Sequence, residues 1–97
     1  MLIKMGVDIS RLARPIRRAL NHIEEVFQKH GIEPIITSTY EGSHSPGSLH
    51  YGNLAVDIRT KGVDECEDIV EELRVNLGAA YDVIWEPNHV HVEYDPK

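Results

Sequence analysis

The sequence of 97 residues is poor in cysteine and in long apolar runs, and each scarcity excludes a class of protein. Its one cysteine, Cys66, cannot form an internal disulfide, so no oxidising compartment is implied. No apolar run approaches the roughly 20 residues of a membrane-spanning helix, and MLIKMGVDIS at the N-terminus lacks the apolar stretch of a signal peptide. We therefore expect one small soluble domain over residues 1–97, cytoplasmic as synthesised and without a membrane partner.

Positive charge is also scarce. Ten Lys and Arg residues against 16 Asp and Glu residues give a net charge of −6. The distribution is uneven, because residues 1–30 have six basic and three acidic residues (net +3), whereas residues 31–97 have four and 13 (net −9). A general nucleic-acid-binding protein should carry a basic surface, so no nucleic-acid partner is expected.

Apolar residues recur at two different spacings, which indicates that the chain contains both helices and strands. Helical spacing covers residues 14–30 and residues 64–77. A short strand of mixed burial is predicted at residues 33–39 and an alternating strand at residues 54–60. Two further alternating runs, separated by two residues, predict a hairpin over residues 81–94. The predicted fold class is α+β, a small antiparallel sheet with helices packed on one face.

The predicted hairpin gathers three polar side chains at one edge of the sheet. If residues 87–88 form the turn, Glu86 and His89 flank it and project from the same face. His91 lies two residues beyond His89, so the period of a strand puts it on that face as well. A one-residue slip of the turn would separate Glu86 from the histidines.

A second group of candidate ligands lies upstream, where His50 precedes Asp57 by seven residues. His50 belongs to a loop rich in Gly, Ser, Pro and Asn (residues 40–53), and strand alternation points Asp57 away from the apolar face. A catalytic zinc typically has three protein ligands, drawn from residues that include His and Asp, and a water. His50, Asp57 and one hairpin histidine could supply that set, with Glu86 as the base. The absence of CxxC excludes the usual cysteine-rich structural zinc sites.

The segments that contain these candidates resemble a known family. SLHYGNLAVDIR, residues 48–59, is similar to the Ser-x-His-x-x-Gly-x-Ala-x-Asp signature of the zinc D-alanyl-D-alanine peptidases, and HVH, residues 89–91, resembles the second half of that signature. The family includes carboxypeptidases, dipeptidases and L-alanyl-D-glutamate peptidases. The same segment is similar to one in the Hedgehog signalling domain, which shares the fold, so the resemblance implies a Hedgehog/DD-peptidase fold for the whole chain.

The resemblance also implies a role for each matching residue. His50 and Asp57 match the first two ligands of Zn²⁺, and His91 matches the third. His89 would then stand beside the metal and stabilise the oxyanion. Glu86 lies where these peptidases have the Glu or Asp that acts as general base.

Two further residues match supporting positions of these families. His44 matches a second histidine in the Hedgehog segment, and the resemblance implies that it supports the metal ligands without binding the metal itself. Ser48 matches the serine of the motif, with a supporting role only.

Three departures from the family pattern stand out. Asn53 replaces the glycine three residues after the first histidine, although Asn tolerates a left-handed backbone. Glu86 lies five residues before His91, whereas many members have a spacing of three, which would instead hold if His89 were the ligand. Finally, TSTYEGS, residues 37–43, lacks the Arg or Gln that many members use to polarise the substrate carbonyl.

The function implied by the resemblance is that of a zinc metallopeptidase, a D,D-carboxypeptidase or L,D-endopeptidase. Its substrate would be the D-amino-acid-containing stem peptides of peptidoglycan. The chain resembles a minimal phage or prophage product that lysis releases to the cell wall. A cytoplasmic peptidase acting on imported or recycled wall fragments fits equally well. Two alternatives are a non-catalytic, zinc-containing recognition module of the same fold, as in Hedgehog domains, and a purely structural zinc site in a scaffold protein.

Overall fold

Five strands form one sheet in the computed structural model, which describes residues 1–41, 44 and 47–96. The strand order is β1-β2-β3-β5-β4; β1 is parallel to β2, and every other neighbouring pair is antiparallel. With two helices in addition, the architecture confirms the predicted α+β class. The strands are β1 (Leu2–Ile3), β2 (Ile35–Ser38), β3 (Ala55–Arg59), β4 (Tyr81–Trp85) and β5 (His89–Tyr94).

The two helices lie close to their predicted positions. The first, α1, spans Arg14–Lys29 with a proline in its first turn, where the missing N–H breaks no helical hydrogen bond. Gly31 follows it with a φ of +73°, a left-handed conformation that terminates the helix. The second, α2, spans Cys66–Leu77 and so begins two residues later than expected. Within the described residues, neither helix has the length and apolar composition needed to cross a membrane.

The hydrophobic core lies between the two helices and one face of the sheet. Both helices contribute large side chains to it, and alternate residues of β3 and β5 meet them from the sheet. Burying each such side chain contributes about 1.5–3 kcal/mol, which explains why both helices pack on the same face. The best-buried members, each no more than 1% exposed, are Ile16, Ala19, Ile23, Phe27, Ile36, Val56, Ile58, Ile69, Leu73, Val90 and Val92.

The hairpin between β4 and β5 has the predicted register. Trp85 pairs with Val90, and the backbone N–H of Glu86 donates to the carbonyl of His89 at 2.8 Å, so residues 87–88 form the turn. On its other side, β5 pairs with β3, which sets His91 opposite Asp57. The face of the sheet that points away from the helices, here called the site face, therefore carries polar residues from both strands.

Candidate metal centre

His50 is held at the edge of the site face by a tight turn. Its backbone N–H donates to Ser48 Oγ at 3.1 Å, and its carbonyl accepts from the N–H of Asn53 at 3.1 Å. Asn53 has a φ of +60°, a left-handed conformation that asparagine tolerates better than most residues other than glycine. The turn then leads directly into β3 and Asp57, which explains how a loop residue and a strand residue meet.

Three side-chain atoms converge at one point of the site face. His50 Nε2 lies 3.1 Å from Asp57 Oδ1 and 3.0 Å from His91 Nδ1, and His91 Nδ1 lies 3.0 Å from Asp57 Oδ1. Tetrahedral zinc, with bonds of about 2.0–2.1 Å to nitrogen and oxygen, separates its ligand atoms by about 3.3 Å. The mutual distances are therefore close to those that a small divalent cation requires.

Both histidines are also oriented by their outer ring nitrogens. His50 Nδ1–H donates to the carbonyl oxygen of Thr39 at 2.7 Å, and His91 Nε2–H donates to Glu93 Oε1 at 2.6 Å. When only the outer nitrogen of each ring carries a proton, the inner nitrogen directs a lone pair at the convergence point. Such bonds from metal-binding histidines to carbonyls and carboxylates fix the tautomer and raise the basicity of the ligand.

The electrostatics of the cluster favour an ionised carboxylate. Asp57 is only 6% exposed, and this burial opposes ionisation, but hydrogen bonds with His50 and His91 outweigh it and hold the pKa of Asp57 well below its usual range. Burial lowers the pKa of His91, yet its bonds with Asp57 and Glu93 raise it overall. A cation bound here would compete with protons for the same lone pairs.

His44 supports the cluster from the loop. Its ring stacks on the ring of His50, with centroids 3.8 Å apart and planes at 9°. Its Nε2 lies 2.9 Å from Ser38 Oγ and 2.8 Å from the carbonyl oxygen of Glu41. His44, His50 and Asp57 also offer one ligand atom each within 4.8 Å of one another, so this group could hold a metal ion.

The hairpin contributes the remaining two candidates. His89 Nδ1 lies 2.6 Å from Asn88 Oδ1, and its Nε2 lies 3.7 Å from Asp57 Oδ2. Glu86 is half-buried beside the turn, opposite His89 in the hairpin. His89 is therefore near the convergence point, whereas His91 is part of it.

These side chains line a surface cleft of about 370 Å³. Every site residue expected from the sequence lines it. The lining residues are His44, Ser48, His50, Asp57, Glu86, His89 and His91.

Two groups at this centre were not expected from the sequence. Glu93 lies two residues beyond His91, so strand alternation could have indicated that it shares the site face. Thr39 contributes only its main-chain carbonyl, for which the sequence carries no signal.

The chain matches no protein-family model in a scan of such models, and no curated protein in a search of those proteins. Function is therefore inferred from the geometry of the cleft and from the motifs that line it.

Proposed function

We propose that His50, Asp57 and His91 bind one Zn²⁺ and that the chain is a zinc metallopeptidase of the kind its motifs resemble. The observation that carries the proposal is the convergence of His50 Nε2, Asp57 Oδ1 and His91 Nδ1 within 3.1 Å of one another. Hydrogen bonds to Thr39 and Glu93 orient both imidazoles for metal binding.

The donor set supports a catalytic rather than a structural zinc. Two nitrogens and one carboxylate oxygen suit zinc, and three protein ligands leave a coordination position free for a water or a substrate. Cys66 is 6% exposed within the apolar face of α2, and its Sγ donates to the carbonyl of Val63, so the thiol takes no part in the cleft.

The mechanism assigns a task to each side chain around the proposed metal. Zinc, when bound, supplies Lewis-acid polarisation of a carbonyl and acidifies a water. Glu86 accepts a proton from the attacking water and passes it to the leaving amine, as a general base and then an acid. His89, in the form protonated on both nitrogens, donates from Nε2 to the developing oxyanion while Asn88 Oδ1 holds its Nδ1–H.

The proposed substrate follows from the motif resemblance. Residues 48–59 and 89–91 resemble the zinc D-alanyl-D-alanine peptidases, so we expect cleavage of D-amino-acid-containing stem peptides from peptidoglycan, and a Hedgehog/DD-peptidase fold. In this account the peptide is the partner, and release by phage lysis would give the protein access to the cell wall.

Hydrolysis by the zinc-loaded protein tests the proposal. Purified peptidoglycan fragments would be incubated with it and the products identified by mass spectrometry, which also distinguishes endopeptidase from carboxypeptidase cleavage. Glu86→Gln should retain zinc and lose activity by about 100-fold or more, because a general base contributes that much. Glu25→Gln, an exposed α1 residue outside the cleft, is the matched control.

Two results would contradict different parts of the proposal. Undiminished turnover by Glu86→Gln would remove Glu86 from the mechanism. Failure of the fully zinc-loaded wild type to cleave any D-amino-acid peptide would favour the second candidate, a zinc-containing recognition module. That candidate is supported by the absence of Arg and Gln from the described residues that line the cleft.

A further inference from the structure

A second cleft, also of about 370 Å³, adjoins the cleft at the candidate metal centre. The two share His89, so a ligand in one is next to a ligand in the other. Three of the lining residues are basic and, among those described, none is acidic. The second cleft is lined by Lys4, Thr37, Arg59, Lys61, Asn88 and His89 and is called the basic cleft below.

The basic cleft contains two of the few basic residues in residues 31–97. Residues 31–97 contain four basic residues against 13 acidic ones. Arg74 is bound to Glu71 and to the carbonyl of Val83, and Lys97 lies outside the described residues. The other two, Arg59 and Lys61, both line the basic cleft.

The cations of the basic cleft are free to bind a ligand. Within residues 1–41, 44 and 47–96, the side chains of Lys4, Arg59 and Lys61 have no hydrogen-bond or ion-pair partner, whereas Arg74 has both kinds. An incoming anion would therefore break no existing ion pair. All three are exposed, so a ligand can reach them from solvent.

The sheet register fixes where such an anion would lie. Arg59 is two residues after Asp57 on the site face of β3 and pairs with His89 of β5. Two residues of a strand span about 7 Å. An anionic group held by Arg59 would thus be about one or two peptide residues away from a carbonyl at the metal centre.

We propose that the basic cleft binds a carboxylate of the substrate and makes the enzyme selective for acidic peptides. This inference rests on the proposed peptidase function. Arg forms paired, charge-assisted hydrogen bonds with carboxylates, to which Lys adds a point charge. A protein with a net charge of −6 repels anionic peptides overall, so a local positive cleft beside the metal centre would bring their carboxylates to it.

Binding measurements test this without requiring turnover. Isothermal titration would use zinc-loaded Glu86→Gln protein and an N-acetylated, D-amino-acid-containing tripeptide with one side-chain carboxylate and one C-terminal carboxylate. Two analogues would carry a carboxamide in place of one or the other. We expect one analogue to bind about tenfold more weakly than the parent, which identifies the carboxylate that is bound.

Charge variants then locate the effect. In Arg59→Gln/Lys61→Gln the preference for the carboxylate should fall to within about twofold. Arg14→Gln/Arg17→Gln removes the same charge from exposed positions on α1, on the other side of the sheet, and should keep the tenfold preference. Circular dichroism would verify that both variants are folded.

Three results would overturn the inference: equal binding of the parent and both analogues, no binding of any of them, or a preference that survives in Arg59→Gln/Lys61→Gln. Failure of the proposed peptidase function is a separate result. It would appear as an absence of hydrolysis by the wild type while the carboxylate preference persists, and this would support the basic cleft as a binding site.

Discussion

The two faces of strands β3 and β5 carry residues with different roles. On the face toward the helices, Val56, Val90 and Val92 are fully buried in the hydrophobic core. On the site face, Asp57 and His91 alternate with them and meet near His50. Adjacent residues of one strand therefore serve either the stability of the fold or the candidate metal centre.

Burial alone does not distinguish these faces. His50 is 2% exposed and Asp57 6% exposed, values close to those of the core valines. Buried polar groups are costly unless they are hydrogen-bonded, and here each one is bonded to another member of the cluster or to the backbone. Hydrogen bonds within the cluster and to the backbone thus offset the cost of burying His50 and Asp57.

The largest expected effect comes from the site face. His91→Ala should weaken zinc binding by about a thousandfold, because it removes one of three ligands from a site whose binding free energy is of the order of 10 kcal/mol. Zinc affinity would be measured by competition with a chelator. A loss of less than about tenfold would show that His91 is not a ligand, and His89→Ala would then be the next variant to examine.

Glu93→Gln should have a smaller effect on the same face. Its carboxylate accepts from His91 Nε2–H, and loss of such a supporting bond typically lowers metal affinity about 10- to 100-fold. The same chelator competition measures it. Glu67→Gln, an exposed α2 residue, is the matched control, and equal affinities for the two variants would refute the orienting role of Glu93.

Val92→Ala changes the core face of β5 at the residue next to His91, and we expect it to affect stability rather than zinc affinity. It should lower the free energy of unfolding by about 2 kcal/mol, because two methyl groups leave a close-packed core. Zinc affinity should stay within about threefold of the wild type. Urea denaturation of the metal-free protein gives the first quantity, and a large loss of zinc affinity would mean that the two faces are not separable.

The smallest expected effect is a pH-dependent change in stability at His30, which lies outside both faces of β3 and β5. Like His91 it bonds one carboxylate through each ring nitrogen, here Glu65 through Nδ1 and Glu72 through Nε2. Within the described residues, however, His30 belongs to no group of potential ligand atoms that converge as a metal site requires, so no zinc binding is expected there. The hydrogen bonds with Glu65 and then Glu72 raise the pKa of His30 above its ordinary value of 6.5.

That shift predicts a pH dependence of stability. The protonated ring links α1 to α2, so its contribution is fully present below pH 6.5 and is lost as the pH rises through the raised pKa. The difference in Tm between metal-free wild type and His30→Gln should be greatest below pH 6.5 and should decrease as the pH rises through the raised pKa of His30. Calorimetry across this pH range measures the difference, and a difference independent of pH would contradict the assigned cause.

Much of the fold and of the candidate site was predictable because the patterns that define them are local. The helical spacing of residues 14–30 and the turn at residues 87–88 each depend on neighbours in sequence. Strand alternation placed Asp57 and His91 on faces away from the apolar residues. The structure confirms each of these expectations.

The parts that were not predicted depend on contacts between distant segments. Strand β1 has two residues, too few for any periodicity, and it exists because Leu2 and Lys4 bond the carbonyls of Pro34 and Ile36. The carbonyl of Thr39 that orients His50 is a main-chain group with no side-chain signal. The basic cleft likewise joins residues from separate segments of the chain, which only the folded sheet brings together.

Zinc titration of the metal-free protein, followed through the ¹⁵N chemical shifts of its histidine rings, tests the central claim most directly. We predict that one zinc binds per chain and that the large coordination shifts occur at His50 Nε2 and His91 Nδ1. The outer nitrogens, His50 Nδ1 and His91 Nε2, should remain protonated through their bonds to Thr39 and Glu93. An absence of binding, or coordination through any other pair of histidine nitrogens, would contradict the proposed metal centre.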